Sequence, residues 1–588
     1  MGGHRRTALR CGRSPRHTDP SAHGEVVIAA PAEAPHAPRA HPVRRALVHY
    51  RRTFGSVGLV FALVFFAWSM TPSLLPRPWY LQGVATGLCT ATGYLLGSAV
   101  ARLTRRLGFR PGWSVAARRR GDAALAATAA VWVPAALVLG AHWQDQVREL
   151  VGVRPDQRSY YGLVLVVALV VALGLRETGR ALRAASRRVA AFAARFVPGR
   201  IARLAAAAVV AVAAVLFVDG ALVNGFLMVV NRIAATADRG DEPGVVRPTA
   251  PERSGSPHSP VGWETLGREG RAFVAGGPTA AELGAFTGRP APTPIRVYGG
   301  LSSAGSLAEV AALVVAELER TGAFDRAVLA VATTTGTGWV DPSAAESLEH
   351  VAGGDTAIAA LQYSYLPSWA AFVADRDSPR AAGAALFERV YAAWERRPAD
   401  RRPALVVFGE SLGAFGGQAA FSGVQDMTAR TSGALWIGTP NSTGVWARTT
   451  ADRDPGTPER LPVVDSGADV RFADSPDDLD GPGDGRVVYL QHATDPVVWW
   501  SPQLLTRRPD WLAEPRAPDV SPQMTWLPAI TFWQLTTDLV FATDLPPGQG
   551  HHYGPAESAE AWAHILAPPD WTDEDARRYR DAAQRRYR

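Results

Sequence analysis

The stretch "ALVVFGESLGAFGGQAAF", Ala404–Phe421, decides the fold. It opens with a short continuous apolar run of the kind that forms a strand buried on both faces. The chain then tightens at Gly409-Glu410-Ser411-Leu412-Gly413 and continues in small and apolar residues suited to a helix. A Gly-x-Ser-x-Gly set between strand and helix is the sharp turn that holds a serine hydroxyl above the end of a sheet. Glycine is required at 409 and 413 because a Cβ at either would collide with neighbouring backbone as the chain reverses. In a chain with 56 glycines the pattern alone is weak; its setting between strand and helix is what gives it weight.

The flanking chain repeats the strand signal. "PIRVYGG", "RAVLAVATT", "TAIAALQYSY", "ALVVFG", "ALWIG" and "RVVYLQ" read as six strands. Helices are expected at Ser306–Arg320, at Pro379–Arg397, and from Pro342 with Asp341 as its cap. Apolar strands each followed by a helix or loop predict an α/β domain with a mostly parallel sheet over residues 262–588. The insert Asn441–Gly485, rich in Asp, Gly and Pro, is longer than an ordinary connection and reads as a lid or a disordered loop.

A serine hydroxyl is a poor nucleophile without a histidine to take its proton, and that histidine must be oriented by a carboxylate. In this kind of fold the chain order is Ser, acid, His. "HATDPV" places Asp495 just past the last expected strand, where an Asp-Pro turn is the plainer alternative. "PPGQGHHYG" then offers His551 and His552 in a glycine-flanked loop, and we favour His551; His564 lies in the helix-like "ESAEAWAHIL". The expected oxyanion donors are the backbone N–H of Leu412 and one in the loop "TTTGTGW", Gly336, unless that loop is only a structural turn.

The amino-terminal half has a different chemistry. Residues 1–52 carry ten Arg and lack the apolar core and cleavage site of a secretory signal, so they read as a disordered basic cytoplasmic tail. Five apolar segments follow within 53–231, at Val57–Met70, Leu81–Ala101, Ala123–Ala141, Tyr161–Leu175 and Leu204–Val230. Most approach the roughly 20 residues that cross a bilayer. The connections Arg102–Arg120 and Arg176–Arg203 hold seven and eight Arg, whereas His142–Tyr160 balances three Arg with three acids. Basic loops stay in the cytoplasm, which predicts a multi-pass protein of the cell membrane with its amino terminus inside and residues 262–588 outside, after a Pro- and Gly-rich linker over 232–261. The net charge of +7 therefore reflects membrane topology and not nucleic-acid binding. Two cysteines build no disulfide framework. The acids of the insert lack calcium-loop spacing, and with no Lys in the chain there is no phosphate loop; neither metal nor cofactor is expected.

The segments "MTPSLLPRPW", "TLGREGRAFV", "PIRVYGGL", "TTTGTGWVDP", "QYSYLPSW", "GESLGAFGG", "HATDPVVWW", "TFWQLTTDL" and "GHHYG" together resemble the bacterial, mainly actinobacterial, α/β-hydrolase family of integral membrane proteins. The resemblance runs from Arg52 to about Pro568. It implies a multi-span amino-terminal bundle and an α/β-hydrolase-like catalytic domain, and it matches Ser411, Asp495 and a histidine of "GHHYG". Where similar sequences read Gly-His-Gly-His, this one has Gly548-Gln549-Gly550-His551, which favours His551. Trp499, Trp500, Trp511, Trp526 and Trp533 either wall an acyl pocket or serve as core and membrane anchors. The expectation is a membrane-anchored serine hydrolase acting on an ester, with the lipid bilayer as partner and a lipid or cell-envelope acyl ester as substrate. The alternative is a non-catalytic domain of the same fold serving a membrane transport or envelope module.

Overall fold

The computed structural model describes residue 50 and residues 53–586 apart from 110–111, 155–159 and 482. The basic tail expected over residues 1–52 lies outside these, residue 50 excepted.

Seven strands form one sheet: β1 (Ile295–Gly299), β2 (Val328–Thr333), β3 (Thr356–Leu361), β4 (Ala404–Glu410), β5 (Gly433–Ile437), β6 (Val470–Ala473) and β7 (Val487–Leu490). Their order is β1-β3-β2-β4-β5-β7-β6, which puts β4 in the middle. Every pairing is parallel. Successive residues face opposite sides, and both sides are buried. Val297, Val331, Val407 and Tyr489 enter one apolar core, and Tyr298, Ala330, Phe408 and Val488 the other.

The extra strand, β6, comes from the insert that reads as a lid or disordered loop. It is not disordered: it holds helix Gly444–Ala451 and the edge strand, whose residues pair with Val487–Leu490. Four residues of strand among Asp, Gly and Pro are too few to show a period.

All five apolar segments fall on helices: α1 (Ser56–Trp68), α2 (Trp79–Arg106), α3 (Val115–Leu150), α4 (Leu163–Ala193) and α5 (Gly199–Leu216), the last continuing through a π-helical turn at Phe217–Val223 into α6 (Asn224–Ala237). By length and composition three of them, α2, α3 and α5, are long and apolar enough to cross a membrane. α1 has 13 residues, short of a full span. α4 runs on through the Arg cluster that reads as a loop, so its apolar part is only its first half. α2 packs closely at glycines: a Cβ on Gly93 would meet the Phe61 carbonyl oxygen at 2.7 Å, and one on Gly87 would meet Val171 at 2.6 Å.

The turn between α1 and α2 reaches into the α/β domain. Leu74 and Leu75 are buried in the same core as Val297 and Val407. Arg77 is fully buried, with Nη1 3.5 Å from Asp538 Oδ1, while its Nε–H donates to Gln82 Oε1 at 3.0 Å. Helix Ile530–Asp538 is seated on this turn and on α2: Gln534 Nε2–H donates to Thr71 O at 2.8 Å and Trp533 Nε1–H to Thr92 Oγ1 at 3.2 Å. The stretch 232–261 is not a free tether. α6 occupies its start, Asp238 accepts from Arg268 N–H and Gln362 Nε2–H, and Arg253 bridges to Arg296 on β1.

Candidate active site

At the end of β4, Ser411 adopts φ 54°, ψ −116°, a conformation an L-residue takes at a cost of about 1–3 kcal/mol. The surroundings enforce it. Ser411 N–H donates to Ile437 O on β5 at 2.8 Å, and helix Leu412–Gly417 begins at once. A Cβ on Gly413 would lie 2.2 Å from Thr333 O, and one on Gly409 would lie 2.6 Å from the Gly413 carbonyl carbon. Both glycines are therefore needed for close approach, as the sequence implies.

The loops after β7 and before helix Pro555–Leu566 bring Asp495 and His551 together. His551 Nδ1 lies 2.7 Å from Asp495 Oδ2, with the Asp side chain fully buried and the imidazole nearly so. The other carboxylate oxygen accepts the N–H of Val497 at 2.8 Å, so the Asp-Pro turn and the imidazole contact use the same residue. His551 Nε2 is buried and has no hydrogen-bond partner among the described residues. Its ring packs on Gly438, where a Cβ would come 2.4 Å from Cε1. Gly438 follows the Ile437 whose carbonyl holds the Ser411 amide, and Glu410 Oε1 is 3.9 Å from Nε2. The unpartnered nitrogen thus faces the Glu410–Ser411 turn.

His552 is engaged elsewhere, its Nδ1 on the carbonyl oxygen of Leu545 at 2.5 Å. His564 contacts Gly485 O at 3.2 Å, and burial lowers its pKa. The N–H of Leu412 is in the first helical turn, where amides have no intrahelical acceptor. Gly336 is less available: its N–H points to Ser368 Oγ at 3.4 Å, and its Cα packs against Leu366 and Ser368. The start of that loop, Thr333–Thr334, is what touches Gly413.

The tryptophans are core and docking residues. Trp499 and Trp511 are buried, and the indole N–H of Trp499 donates to His492 O. The N–H groups of Trp500, Trp526 and Trp533 donate to Thr536, Leu504 and Thr92. A surface groove of about 330 Å³ lined by Leu461, Arg471, Asp477 and Gly481 lies in the insert, away from these residues.

Residues 295–579 match the family model described as "Alpha/beta-hydrolase family", and residues 70–278 match "Alpha/beta-hydrolase family N-terminus". The chain belongs to the alpha/beta-hydrolase family. No curated protein and no solved structure matches it.

Three groups around the site are ones that sequence reasoning does not assign. Tyr553 O–H donates to Asp495 Oδ2 at 2.8 Å and in turn accepts His492 N–H at 3.1 Å. The His492 ring stacks on Tyr553 at 4.0 Å and contacts Gly550 O and Glu557 Oε1. Burial pulls the His492 pKa down, but the Glu557 carboxylate, the Gly550 carbonyl and Asp474 together outweigh it and the net result is a rise to about 9, so the ring is cationic at neutral pH. Glu410 is held well above the usual carboxylate range by burial, then by the carboxylates of Asp341 and Asp495. The signal for Tyr553 and His492 was present in "GHHYG" and "HATDP"; nothing in the sequence says that these loops meet.

Proposed function

We propose that the protein is a membrane-anchored serine hydrolase that cleaves an ester, with Ser411 as nucleophile, His551 as base and Asp495 as its orienting acid. The strained turn at Ser411, facing an unpartnered His551 Nε2, carries this reading. Ser411 Oγ attacks the acyl carbonyl as its proton passes to Nε2, and Asp495 holds the imidazolium through Nδ1–H. The tetrahedral oxyanion is met by Leu412 N–H and by an amide of the loop after β2, either Gly336 or a residue nearer Thr334. The protonated Nε2 then gives its proton to the leaving oxygen, and the acyl-enzyme is hydrolysed by a water that His551 deprotonates.

The five apolar helical segments are proposed to form a multi-pass bundle in the cell membrane. The Arg clusters at 102–120 and 176–203 support an amino terminus inside and a catalytic domain outside. A lipid or cell-envelope acyl ester is the substrate this setting favours, because a domain seated on membrane helices meets bilayer-borne esters at high local concentration. Treating the purified protein with a fluorophosphonate tests the chemistry. Covalent labelling that Ser411→Ala abolishes is expected; labelling that survives this substitution sinks the proposal.

A further inference from the structure

A parallel sheet sends the carboxy ends of all its strands to one edge, and Ser411, at the end of β4, stands on that edge. Segments that meet the amino-terminal helices leave the same edge. Gln362, one residue past β3, donates from Nε2–H to Asp238, the C-cap of α6, at 3.0 Å. Helix Ser368–Ala374, farther along that connection, sets Trp369 against Phe226 of α6. Helix Ile530–Asp538, between β7 and His551, donates to Thr71 and Thr92. The serine edge of the sheet is therefore the edge turned to the helical bundle.

The exposed apolar side chains of the α/β domain collect there. Among the described residues from 262 onward, the large hydrophobic side chains left exposed are Trp369, Val463, Leu505 and Val540. All but Val463 flank these contacts. Trp369 is itself one of them, Val540 follows Asp538 by two residues, and the Leu505 carbonyl accepts Ala529 N–H at the start of helix Ile530–Asp538, at 3.1 Å. Apolar side chains gathered on one edge mark an interaction surface, and depth identifies its partner. α5, the π-helical turn and α6 run without a break from Gly199 to Ala237, and Arg203 and Arg232 bracket a stretch in which Asp219 is the one charge. At 1.5 Å per residue the two arginines are roughly 40 Å apart, the thickness of a bilayer with its headgroups. Phe226 lies about 9 Å inside Arg232, at the level where tryptophan rings settle between headgroup and acyl chain.

Helix Ser368–Ala374 also reaches the catalytic turn. The ring centroid of Phe372 is 6.3 Å from that of Phe415, on the helix that Ser411 begins, and Ser368 Oγ accepts from Gly336 N–H in the loop after β2. One short helix thus sets one aromatic ring on α6 and another on the nucleophile's helix.

Resting on the serine-hydrolase reading, we propose that this edge of the α/β domain is seated in the bilayer interface, with Trp369, Leu505 and Val540 as its apolar rim, and that a membrane-borne acyl ester reaches Ser411 from the leaflet alongside helix Ser368–Ala374. The partner is the lipid surface itself, and the rim gives preference to esters whose acyl chain is dissolved in it.

The test uses full-length protein in vesicles of phosphatidylglycerol and phosphatidylethanolamine, with two fluorophosphonates that label the same Ser411 Oγ: a hexadecyl probe dissolved in the vesicle and an ethyl probe dissolved in water. Trp369→Glu puts a charge on the rim and should slow labelling by the hexadecyl probe about tenfold more than labelling by the ethyl probe. Val540→Glu should act in the same direction, and Trp369→Phe should keep the wild-type ratio within about threefold. If one Glu variant fails to fold, the other carries the readout. Independently, a fluorophore on Trp369→Cys, in a chain with Cys11→Ser and the fully buried Cys89 left in place, should be quenched by lipid bearing a nitroxide near its headgroup and not by iodide in the water. Equal slowing of both probes, or a fluorophore quenched by iodide alone or, as under a covering protein partner, by neither, overturns the inference while labelling at Ser411 keeps the serine reading. Wild-type protein labelled at Ser411 by neither probe overturns both.

Discussion

His551 Nδ1 and Asp495 Oδ2 are 2.7 Å apart at the joining of two loops 56 residues apart in the chain, while the adjacent His552 turns its Nδ1 to Leu545 O. Two neighbouring imidazoles are thus given different work by their hydrogen bonds. His551→Ala should slow Ser411 labelling by several orders of magnitude, and His552→Ala by less than tenfold. Measured labelling rates with the opposite ranking would move the base to His552.

Tyr553 completes the Asp495 carboxylate and also satisfies the buried N–H of His492. Tyr553→Phe leaves two buried polar groups short of a partner. A loss of stability of about 1–3 kcal/mol is expected, with labelling slowed by about tenfold or less, since the His551 contact to Asp495 remains. Thermal unfolding and labelling rates of the same preparation check both; an unchanged melting temperature would mean that the hydroxyl contributes nothing.

The His492–Glu557 contact makes stability depend on pH. The folded pKa, about 9, lies above the unfolded value of about 6.5. A raised pKa of this sign contributes stability that is fully present below the unfolded pKa and is lost as pH rises through the folded one. The protein should therefore lose up to about 3 kcal/mol between roughly pH 6.5 and 9 relative to Glu557→Gln, whose profile across that window should be flatter. Parallel profiles for the two proteins in thermal melts would remove His492 as the cause.

The central sheet and the serine turn were legible because each is written in contiguous residues: an apolar run, two close-approach glycines, and a strand on either side. Asp495 and His551 were expected from a required chain order; that they meet, at 2.7 Å, was not legible. What escaped has a common physical cause. β6 is too short to show a period, and the pairing of Tyr553 with Asp495 depends on which loops the sheet order sets side by side. The docking of "TFWQLTTDL" on α2 is of the same kind: the apolar residues announce a helix, but only the fold shows that Gln534 and Trp533 hydrogen-bond to Thr71 and Thr92.

Asp538 and Arg77 join that docked helix to the α1–α2 turn, both fully buried. Removing one partner leaves a charge stranded away from water. Arg77→Met or Asp538→Leu alone should cost about 3–5 kcal/mol, whereas the double variant should cost clearly less than the sum. Stability in detergent, followed by thermal unfolding or protease resistance, reads the cycle. Strictly additive costs would show that the two charges are not coupled.

The seating of the α/β domain also bears on where its substrate lies. Trp369, 57% exposed, stands with its ring centroid 6.3 Å from that of Phe226 on α6, next to the Ser368 whose hydroxyl accepts from Gly336 N–H. The segment beside the Gly336 loop is thereby in contact with α6. Leu74 and Leu75 from the α1–α2 turn help fill the domain's core, so cutting the chain at Gly262 should unfold it, and the substrate's location is tested on whole protein in vesicles. Protein reconstituted into vesicles that also carry a lipid acyl ester should consume that ester faster than the same ester supplied in separate, protein-free vesicles, and the gap should widen as vesicles are diluted, because dilution lowers encounters between vesicles and not those within one. Equal rates at every dilution would mean that the substrate reaches Ser411 through water, and a small soluble ester would then replace the membrane-borne one.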